Sequence, residues 1–173
     1  MEFFEVLRRR RSIRAYTTKP VGDELLGQVL EAARAAPSAG NLQAYDIVVV
    51  TERSTKAALA EAALGQDFIA RAPVVLVFFA RPERSGSKYG ARGRELYCIQ
   101  DATIAAAFAK LAATALGLGA AWVGAFDEPE VARLLSAPTG ARPLVIMPLG
   151  WPGEEPSRSP RLPLARLVHR ERY

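Results

Sequence analysis

The chain has 173 residues, of which 50% are hydrophobic and 24% are charged. This composition is typical of a globular protein and too apolar for a disordered one. The length fits one domain of roughly 100 to 200 residues, so we expect a single domain over residues 1–173. The longest apolar runs, such as residues 72–80, are shorter than the roughly 18 residues that a membrane helix needs, and the N-terminus MEFFEVLRRRR does not resemble a signal peptide. We therefore expect a soluble, cytoplasmic protein with no membrane partner.

The chain contains one cysteine, Cys98, and one histidine, His169. A disulfide within the chain and a zinc cluster of His and Cys ligands are thereby excluded, so we predict no metal site. The surroundings of Cys98, ELYCIQDATIAAA, are typical of a helix, and we interpret its thiol as buried and structural.

The formal net charge is +5, and the basic residues are clustered. Arginines and lysines crowd residues 8–19, the middle segment 81–94 and the C-terminal segment 158–172. Such clusters suit an anionic partner. Composition alone leaves three explanations open: nucleic acid, a phosphorylated cofactor, or solvent.

The apolar spacing predicts the elements of the first half in chain order. Residues 2–10 are predicted as a helix, and a second amphipathic helix begins near Gly22 and stops before Pro37. After the loop PSAGNLQ, the β-branched run 45–51 predicts a strand mostly buried on both faces. A helix over residues 54–64 and a second buried strand over residues 73–80 follow.

The second half begins with residues 81–94, whose glycines, serines and charges predict a mobile surface loop. An alanine-rich helix is predicted over residues 95–116, followed by short strands over 120–125 and 142–149. Between these strands, Asp127 and Glu130 have the spacing of a capping box that opens a helix. The alternation of helices and strands around one sheet indicates an α/β or α+β class.

Three common catalytic patterns are absent from the sequence. The pair Gly117 and Gly119 closes a helix rather than opening one after a strand, so it is not a dinucleotide-binding motif. No phosphate-binding loop of the GxxxxGK[ST] type occurs. Glu154 and Glu155 lie in a Pro-rich turn, and we interpret them as solvated carboxylates rather than an acid–base pair.

Four segments together resemble the nitroreductase family of flavin enzymes. They are RRSIRAY at residues 10–16, APSAGNLQ at 36–43, GLGAAWVGAFDEPEVARLL at 117–135 and SPRLPLARLVH at 159–169. They occur in the family's order over essentially the whole chain. The resemblance implies an α+β, three-layer α/β/α fold with a mixed, largely antiparallel sheet, an FMN cofactor with NADH or NADPH as hydride donor, and a homodimer with its two sites at the interface.

The resemblance also assigns site residues. Arginine is well suited to bind a phosphate because its guanidinium forms two charge-assisted hydrogen bonds. The family pattern places Arg10 and Arg161 on the FMN phosphate and Arg14 on the pyrimidine side of the flavin ring. In the family, the loop at residues 37–41 reaches the ring from the second subunit. The predicted cofactor-binding residues are Arg10, Arg11, Ser12, Arg14, Pro37, Ser38, Ala39, Asn41, Gln66, Gly124, Ala125, Ser159 and Arg161.

The chain departs from the family pattern at several positions. Phe108 stands where the long helix usually carries an asparagine, and Ser159 stands where some relatives have a lysine. Ala44 and Tyr45 follow the loop in place of proline and tryptophan. We expect Tyr89 and Tyr97 to pack in the core rather than to line the substrate pocket.

The expected activity is an FMN-dependent oxidoreductase of ping-pong type. Hydride passes from NADH or NADPH to flavin N5, and the same site then reduces a small molecule such as a nitroaromatic, a quinone or a free flavin. Because the flavin supplies the redox chemistry, no protein side chain is assigned a catalytic role. The alternatives are a nucleic-acid-binding module that uses the arginine run 8–11, and a flavin-binding protein without reductase activity. We expect no nucleic-acid partner, because the aromatic residues are not interleaved with the basic runs.

Overall fold

The computed structural model describes all 173 residues as a four-stranded sheet with helices on both faces. The strand order is β1-β2-β4-β3, and each of the three pairings is antiparallel. The predicted α+β class and three-layer architecture are confirmed. The strands are β1 (Tyr45–Val50), β2 (Val74–Ala80), β3 (Gly119–Ala120) and β4 (Arg142–Gly150). The helices are α1 (Phe3–Arg9), α2 (Asp23–Arg34), α3 (Arg53–Ala62), α4 (Phe68–Arg71), α5 (Pro82–Arg92), α6 (Cys98–Ala115) and α7 (Glu128–Leu134).

The hydrophobic core is divided between the two faces of the sheet by the alternation of side chains along β2. All seven residues of this central strand are buried, as its apolar sequence predicts. Leu76 and Phe78 contribute to the core on the α2 and α6 side. Val75 and Val77 contribute to the core on the opposite side, with α3, α4 and α7. Successive side chains of a strand point to opposite faces, so one buried strand serves two cores.

Helix α6 is the central helix of the first core. Its sheet-facing side is formed by alanines that are completely buried, and these small side chains let the helix approach the strands closely (Ala102, Ala105, Ala106, Ala109 and Ala113). Cys98 is buried at its start, as expected. The helical stretch 82–115 is long and apolar enough to cross a membrane by length and composition, but core helices of soluble proteins meet the same criterion. That finding is weak evidence for a membrane span.

The prediction of a mobile loop over residues 81–94 was wrong. Pro82 opens helix α5, where its missing N–H costs nothing in the first turn. The helix packs tightly against the following turn of π-helix, Gly93–Tyr97. The approach is so close that a Cβ on Gly93 would lie 2.6 Å from the carbonyl oxygen of Ser85. Arg84 ties α5 to the start of β1 by donating to the carbonyl oxygens of Gln43 (2.6 Å) and Tyr45 (2.9 Å).

Two strand predictions also require correction. Strand β1 is less buried than expected, since it is an edge strand and Val49 is 39% exposed. The strand predicted over residues 120–125 is limited to Gly119–Ala120, with one isolated bridge from Val123 to Ile146. The chain then leaves the sheet, and the backbone N–H of Asp127 donates to the carbonyl oxygen of Ala62 at the end of α3.

Of the predicted capping box at the start of α7, the Asp127 half is confirmed, whereas the Glu130 carboxylate accepts from Arg133 and the N–H of Asp127 bonds to Ala62. A side-chain oxygen of Asp127 accepts a hydrogen bond from the backbone N–H of Glu130 at 2.9 Å. Helices α1, α2 and α3 lie within two residues of their predicted bounds. Strong local periodicity and capping therefore position most helices.

Two apolar surfaces have no partner within the chain. On α1, Phe3 and Phe4 are 59% and 69% exposed. The C-terminal tail from residue 153 is exposed almost throughout. Its apolar side chains share this exposure: Leu162, Leu164, Leu167 and Val168.

Candidate functional site

A cavity of about 370 Å³ opens between the end of α1 and the C-terminal tail. We call it the arginine cradle. Five arginines, Ser12 and two serines of the tail line it, and its lining contains no carboxylate. The lining residues are Leu7, Arg10, Arg11, Ser12, Arg14, Pro156, Ser157, Arg158, Ser159 and Arg161. The structure thus brings together six of the predicted cofactor-binding residues: Arg10, Arg11, Ser12, Arg14, Ser159 and Arg161.

Arg10 and Arg161 are 151 positions apart in the sequence and are neighbours in the cradle. The pKa of Arg10 is lowered by its partial burial and then by the positive charges of Arg161 and Arg11. None of the three forms an ion pair with a carboxylate. Like charges gathered without a counter-ion repel one another, so the electrostatics of the cradle suit an anion.

The segment that carries Arg10–Arg14 is attached firmly to the sheet. Ile13 is buried, its N–H bonds to the carbonyl oxygen of Ala120 at 3.2 Å, and its side chain occupies the space that a Cβ on Gly119 would need. The Tyr16 hydroxyl donates to the carbonyl oxygens of Ile13 (2.6 Å) and Pro148 (3.1 Å). These bonds hold the arginine backbone in one position relative to β3 and β4.

Glu154 has a structural role that the sequence interpretation missed. One of its carboxylate oxygens accepts hydrogen bonds from the backbone N–H groups of Arg14 and Ala15. Glu154 is exposed, as expected for a solvated carboxylate, and makes these backbone contacts in addition. Its carboxylate fixes the backbone of Arg14, while the Arg14 guanidinium lies 5.9 Å from the centre of the Phe68 ring.

A second group of predicted residues lies at the end of the sheet. The side-chain amide of Gln66 donates to the carbonyl oxygen of Ala63 (2.8 Å) and to that of Ala125 (3.2 Å). Gly124 and Ala125 are exposed there, with small side chains that leave their backbone accessible. Arg14 lies between this group and the cradle. It lines the cradle, and its guanidinium lies near the ring of Phe68, which is two residues from Gln66 in the sequence.

The loop at residues 37–43 is held in an unusual backbone conformation. Asn41 and Gln43 both have positive φ angles, of 58° and 46°, which are strained for side chains other than glycine. The Ser38 hydroxyl accepts from the backbone N–H of Gln43 at 2.9 Å, and the Gln43 amide donates to the side-chain oxygen of Asn41 at 2.9 Å. Strain of this kind is common where a loop contacts a ligand.

Asp101 of α6 anchors this loop by hydrogen bonds to its backbone. Its carboxylate is 2% exposed and accepts from the backbone N–H of Ala39 at 2.9 Å and of Ala44 at 3.3 Å. The sequence interpretation did not single out Asp101. An isolated acidic residue inside an alanine-rich helix was the one sign that it carries a specific contact.

The loop lines a cavity different from the cradle. Pro37, Ser38 and Ala39 face a space of about 550 Å³ along the first turns of α6, where Tyr97 and Ile104 also lie. Tyr97 is only half-buried, so the expectation that it packs in the core was wrong. The loop contacts α6 at Asp101. The same helix reaches the cradle at Lys110, whose Nζ donates to the Ser12 hydroxyl, nine residues or about 13 Å further along the helix. Within one chain, the predicted site residues therefore form two separate surfaces.

Comparison with known proteins agrees with the four segments. The sequence model of the nitroreductase family matches residues 7–151 of this chain. The chain is 37% identical to a protein named NADH dehydrogenase from Thermus thermophilus, over 92% of this chain and 91% of that protein. It is 35% identical to FMN reductase [NAD(P)H] from Bacillus subtilis, over 99% and 74% of the two chains.

Solved structures give the same result for the fold. The NADPH:FMN oxidoreductase from Vibrio harveyi, complexed with NAD+, superposes with a TM-score of 0.91 at 31% identity, over 99% of this chain and 77% of that one. Nitroreductase A from Vibrio parahaemolyticus superposes with a TM-score of 0.92 at 32% identity, over 100% and 77% of the two chains.

Proposed function

Because this chain belongs to the nitroreductase family, we propose that it is an FMN-dependent oxidoreductase that oxidises NADH or NADPH and reduces a second substrate by a ping-pong mechanism. Relatives named FMN reductase, NADPH nitroreductase and NADPH-flavin oxidoreductase support this activity. The observation that carries the proposal is the arginine cradle beside the exposed backbone at Gly124 and Ala125. We further propose that residues 1–173 act as one FMN-binding domain.

The residues present fit FMN. Its phosphate carries close to two negative charges near neutral pH and has several acceptor oxygens. The cradle supplies arginines without carboxylate partners. A buried nitrogen of Arg11, Nε, has no hydrogen-bond partner within the chain. Guanidinium groups and hydroxyls without anionic partners suit a bound phosphate.

Each part of the site has its own role in this proposal. Arg10, Arg161, Ser12 and Ser159 would bind the phosphate, and the backbone of Arg11 would support it. Arg14 lies between the cradle and Gln66, where a cation stabilises negative charge on a reduced ring. When bound, FMN supplies the hydride-transfer chemistry. Gly124 and Ala125 would contact the ring through backbone atoms.

We propose that the enzyme is a homodimer with its sites between the subunits. Within one chain, the loop at residues 37–41 and the cradle lie on separate surfaces. The tail side chains Leu164 and Leu167 are 75% and 57% exposed, and α1 presents Phe3 and Phe4. Burial of such apolar surface favours association. A second copy would cover this surface and bring its loop to the cofactor.

The dimer proposal is tested by replacing Leu164 and Leu167 together with aspartate. We expect the dimer dissociation constant to rise at least about a hundredfold, because each leucine contributes roughly 1.5 to 3 kcal/mol when buried. Sedimentation velocity measures the change, and FMN affinity should fall in parallel. The double replacement by methionine keeps the apolar volume and should remain dimeric. A dimeric double-aspartate variant with unchanged FMN affinity would contradict the proposal.

The activity is tested on the purified protein by absorption spectroscopy followed by anaerobic titration with NADPH and with NADH. We expect flavin absorbance, release of FMN on denaturation, and bleaching of the flavin band by one equivalent of nicotinamide. Ping-pong kinetics should give parallel double-reciprocal lines with a quinone acceptor. A protein that binds FMN but is not bleached by either nicotinamide would instead be a flavin-binding protein without reductase activity.

The nucleic-acid alternative predicts salt-dependent binding through residues 8–11. These four arginines have different surroundings. Arg9 pairs with Glu5 at 3.0 Å, Arg11 donates to backbone carbonyl oxygens of Arg8 and Arg10, and Arg10 lines the cradle. This divided arrangement favours a compact anion over a nucleic-acid strand. We propose that the enzyme works in the cytoplasm on a small-molecule acceptor.

A further inference from the structure

Lys110 is a buried lysine beneath the arginine cradle that lacks a counter-ion. Its side chain lies on α6 and is 8% exposed. The Nζ atom makes one hydrogen bond, to the Ser12 hydroxyl at 3.4 Å. No carboxylate lies within ion-pair distance. An ammonium group offers three donors, so most of its bonding capacity is unused.

The charges around Lys110 are all positive. Arg10 and Arg14, from the segment after α1, are the charged groups that shift its pKa, and both lower it. Burial, and then Arg10 and Arg14, lower the pKa of Lys110 to about 8. Without an anion in the cradle, the amine therefore loses its proton far more readily than an exposed lysine.

The other buried lysine of the chain, Lys56, differs from Lys110 because its ammonium group has hydrogen-bond acceptors within the chain. Lys56 of α3 is 9% exposed, and its Nζ donates to the carbonyl oxygens of Ala72 at 2.7 Å and Pro73 at 3.2 Å. It packs with the core on the opposite side of the sheet. Lys56 thus has a structural explanation within the chain, whereas Lys110 is directed at Ser12, a residue of the cradle.

We propose that Lys110 is an additional binding residue of the cradle, which becomes a full ammonium when a phosphate group occupies the cradle and so couples ligand binding to proton uptake. This inference rests on the proposed FMN site. The neutral amine accepts one proton from solvent as the phosphate binds. The ammonium then acts on the phosphate by its charge and through the Ser12 hydroxyl, whose position it sets.

The direction of the pH dependence follows from linkage. Below the free pKa of about 8, Lys110 is already protonated and binding takes up almost no proton. Above it, the amine must be protonated first, so FMN affinity falls with rising pH until the pKa of the complex is reached. We expect proton uptake that is larger at pH 9.0 than at pH 7.5, and a Kd that rises several-fold between these two pH values.

The test is calorimetric titration of the apoprotein with FMN at pH 7.5 and 9.0, in buffers of different ionisation enthalpy. The FMN phosphate is already dianionic at both pH values, since its second pKa is about 6. Proton uptake that rises with pH supports the proposal. FMN binding without proton uptake overturns it, while leaving the proposed function intact.

Variants identify the residue. In Lys110→Met the uptake should vanish and Kd should no longer depend on pH. Lys110→Arg, which stays charged throughout, should also bind without uptake, and it serves if the methionine variant does not fold. Lys56→Met is the matched control: it removes a buried lysine outside the cradle and should leave the uptake unchanged. Uptake that persists in both Lys110 variants overturns the assignment.

Two further ligands identify the part of the cofactor involved. At pH 9.0, where inorganic phosphate is dianionic like the FMN phosphate, it should bind with the same proton uptake as FMN, and riboflavin, which lacks the phosphate, should bind with none. Equal uptake with riboflavin and FMN would overturn the link to the phosphate. An apoprotein that binds none of the three ligands would refute the proposed function itself, an outcome distinct from FMN binding without proton uptake.

Discussion

Replacing Arg10 or Arg161 with alanine should weaken FMN binding about 10- to 150-fold each. The two guanidiniums meet in the cradle without carboxylate partners, and a hydrogen bond to a charged group contributes roughly 1.5 to 3 kcal/mol. Arg10 has the more buried side chain and is expected to show the larger effect. Fluorescence titration of the apoprotein with FMN measures both constants.

The controls for this pair come from the ligand and from the neighbouring arginine. Riboflavin lacks the phosphate, so its affinity should change little in either variant. Arg8→Ala removes an exposed arginine of the same run whose side chain does not line the cradle, and it should bind FMN as the wild type does. Unchanged FMN affinity in both Arg10→Ala and Arg161→Ala would show that the phosphate binds elsewhere.

The Asp101→Ala variant should lose about 3 kcal/mol or more of stability and the ordered loop at residues 37–43. The carboxylate accepts from the N–H groups of Ala39 and Ala44, and its removal leaves two backbone donors without this partner: that of Ala44, which is fully buried, and that of Ala39, which is half-buried. For a chain of this size, that loss lowers Tm by roughly 6 to 12 °C. Calorimetry measures the stability, and faster amide exchange at the two alanines reports the loop.

Two variants on the same helix make this result specific. Asp101→Asn keeps the shape and one acceptor oxygen, so its stability should be intermediate between those of the wild type and the alanine variant. Gln100→Ala changes an exposed neighbour and should leave Tm unchanged. If Asp101→Ala melts at the wild-type temperature with protected amides at Ala39 and Ala44, the loop is held by other contacts.

Several features of this protein are determined locally and were therefore predictable from the sequence. The run 74–80 forms a fully buried strand because every residue is apolar, and Asp127 caps α7 because its side chain reaches an N–H three residues ahead. The segment 81–94 was misjudged because its polar composition is typical of loops. Its helix depends on contacts with distant residues, such as those of Arg84 with the start of β1.

The same distinction applies to the site. The sequence by itself determined which residue types could bind a phosphorylated flavin, since the arginines and the loop at residues 37–43 stand in recognisable segments. Only the tertiary structure decided that Asp101 holds the loop and that Lys110 lies uncompensated beneath Ser12. The physical reason is that charge and burial act through space. A lysine or aspartate within an alanine-rich helix acquires its role only from the groups that folding places around it.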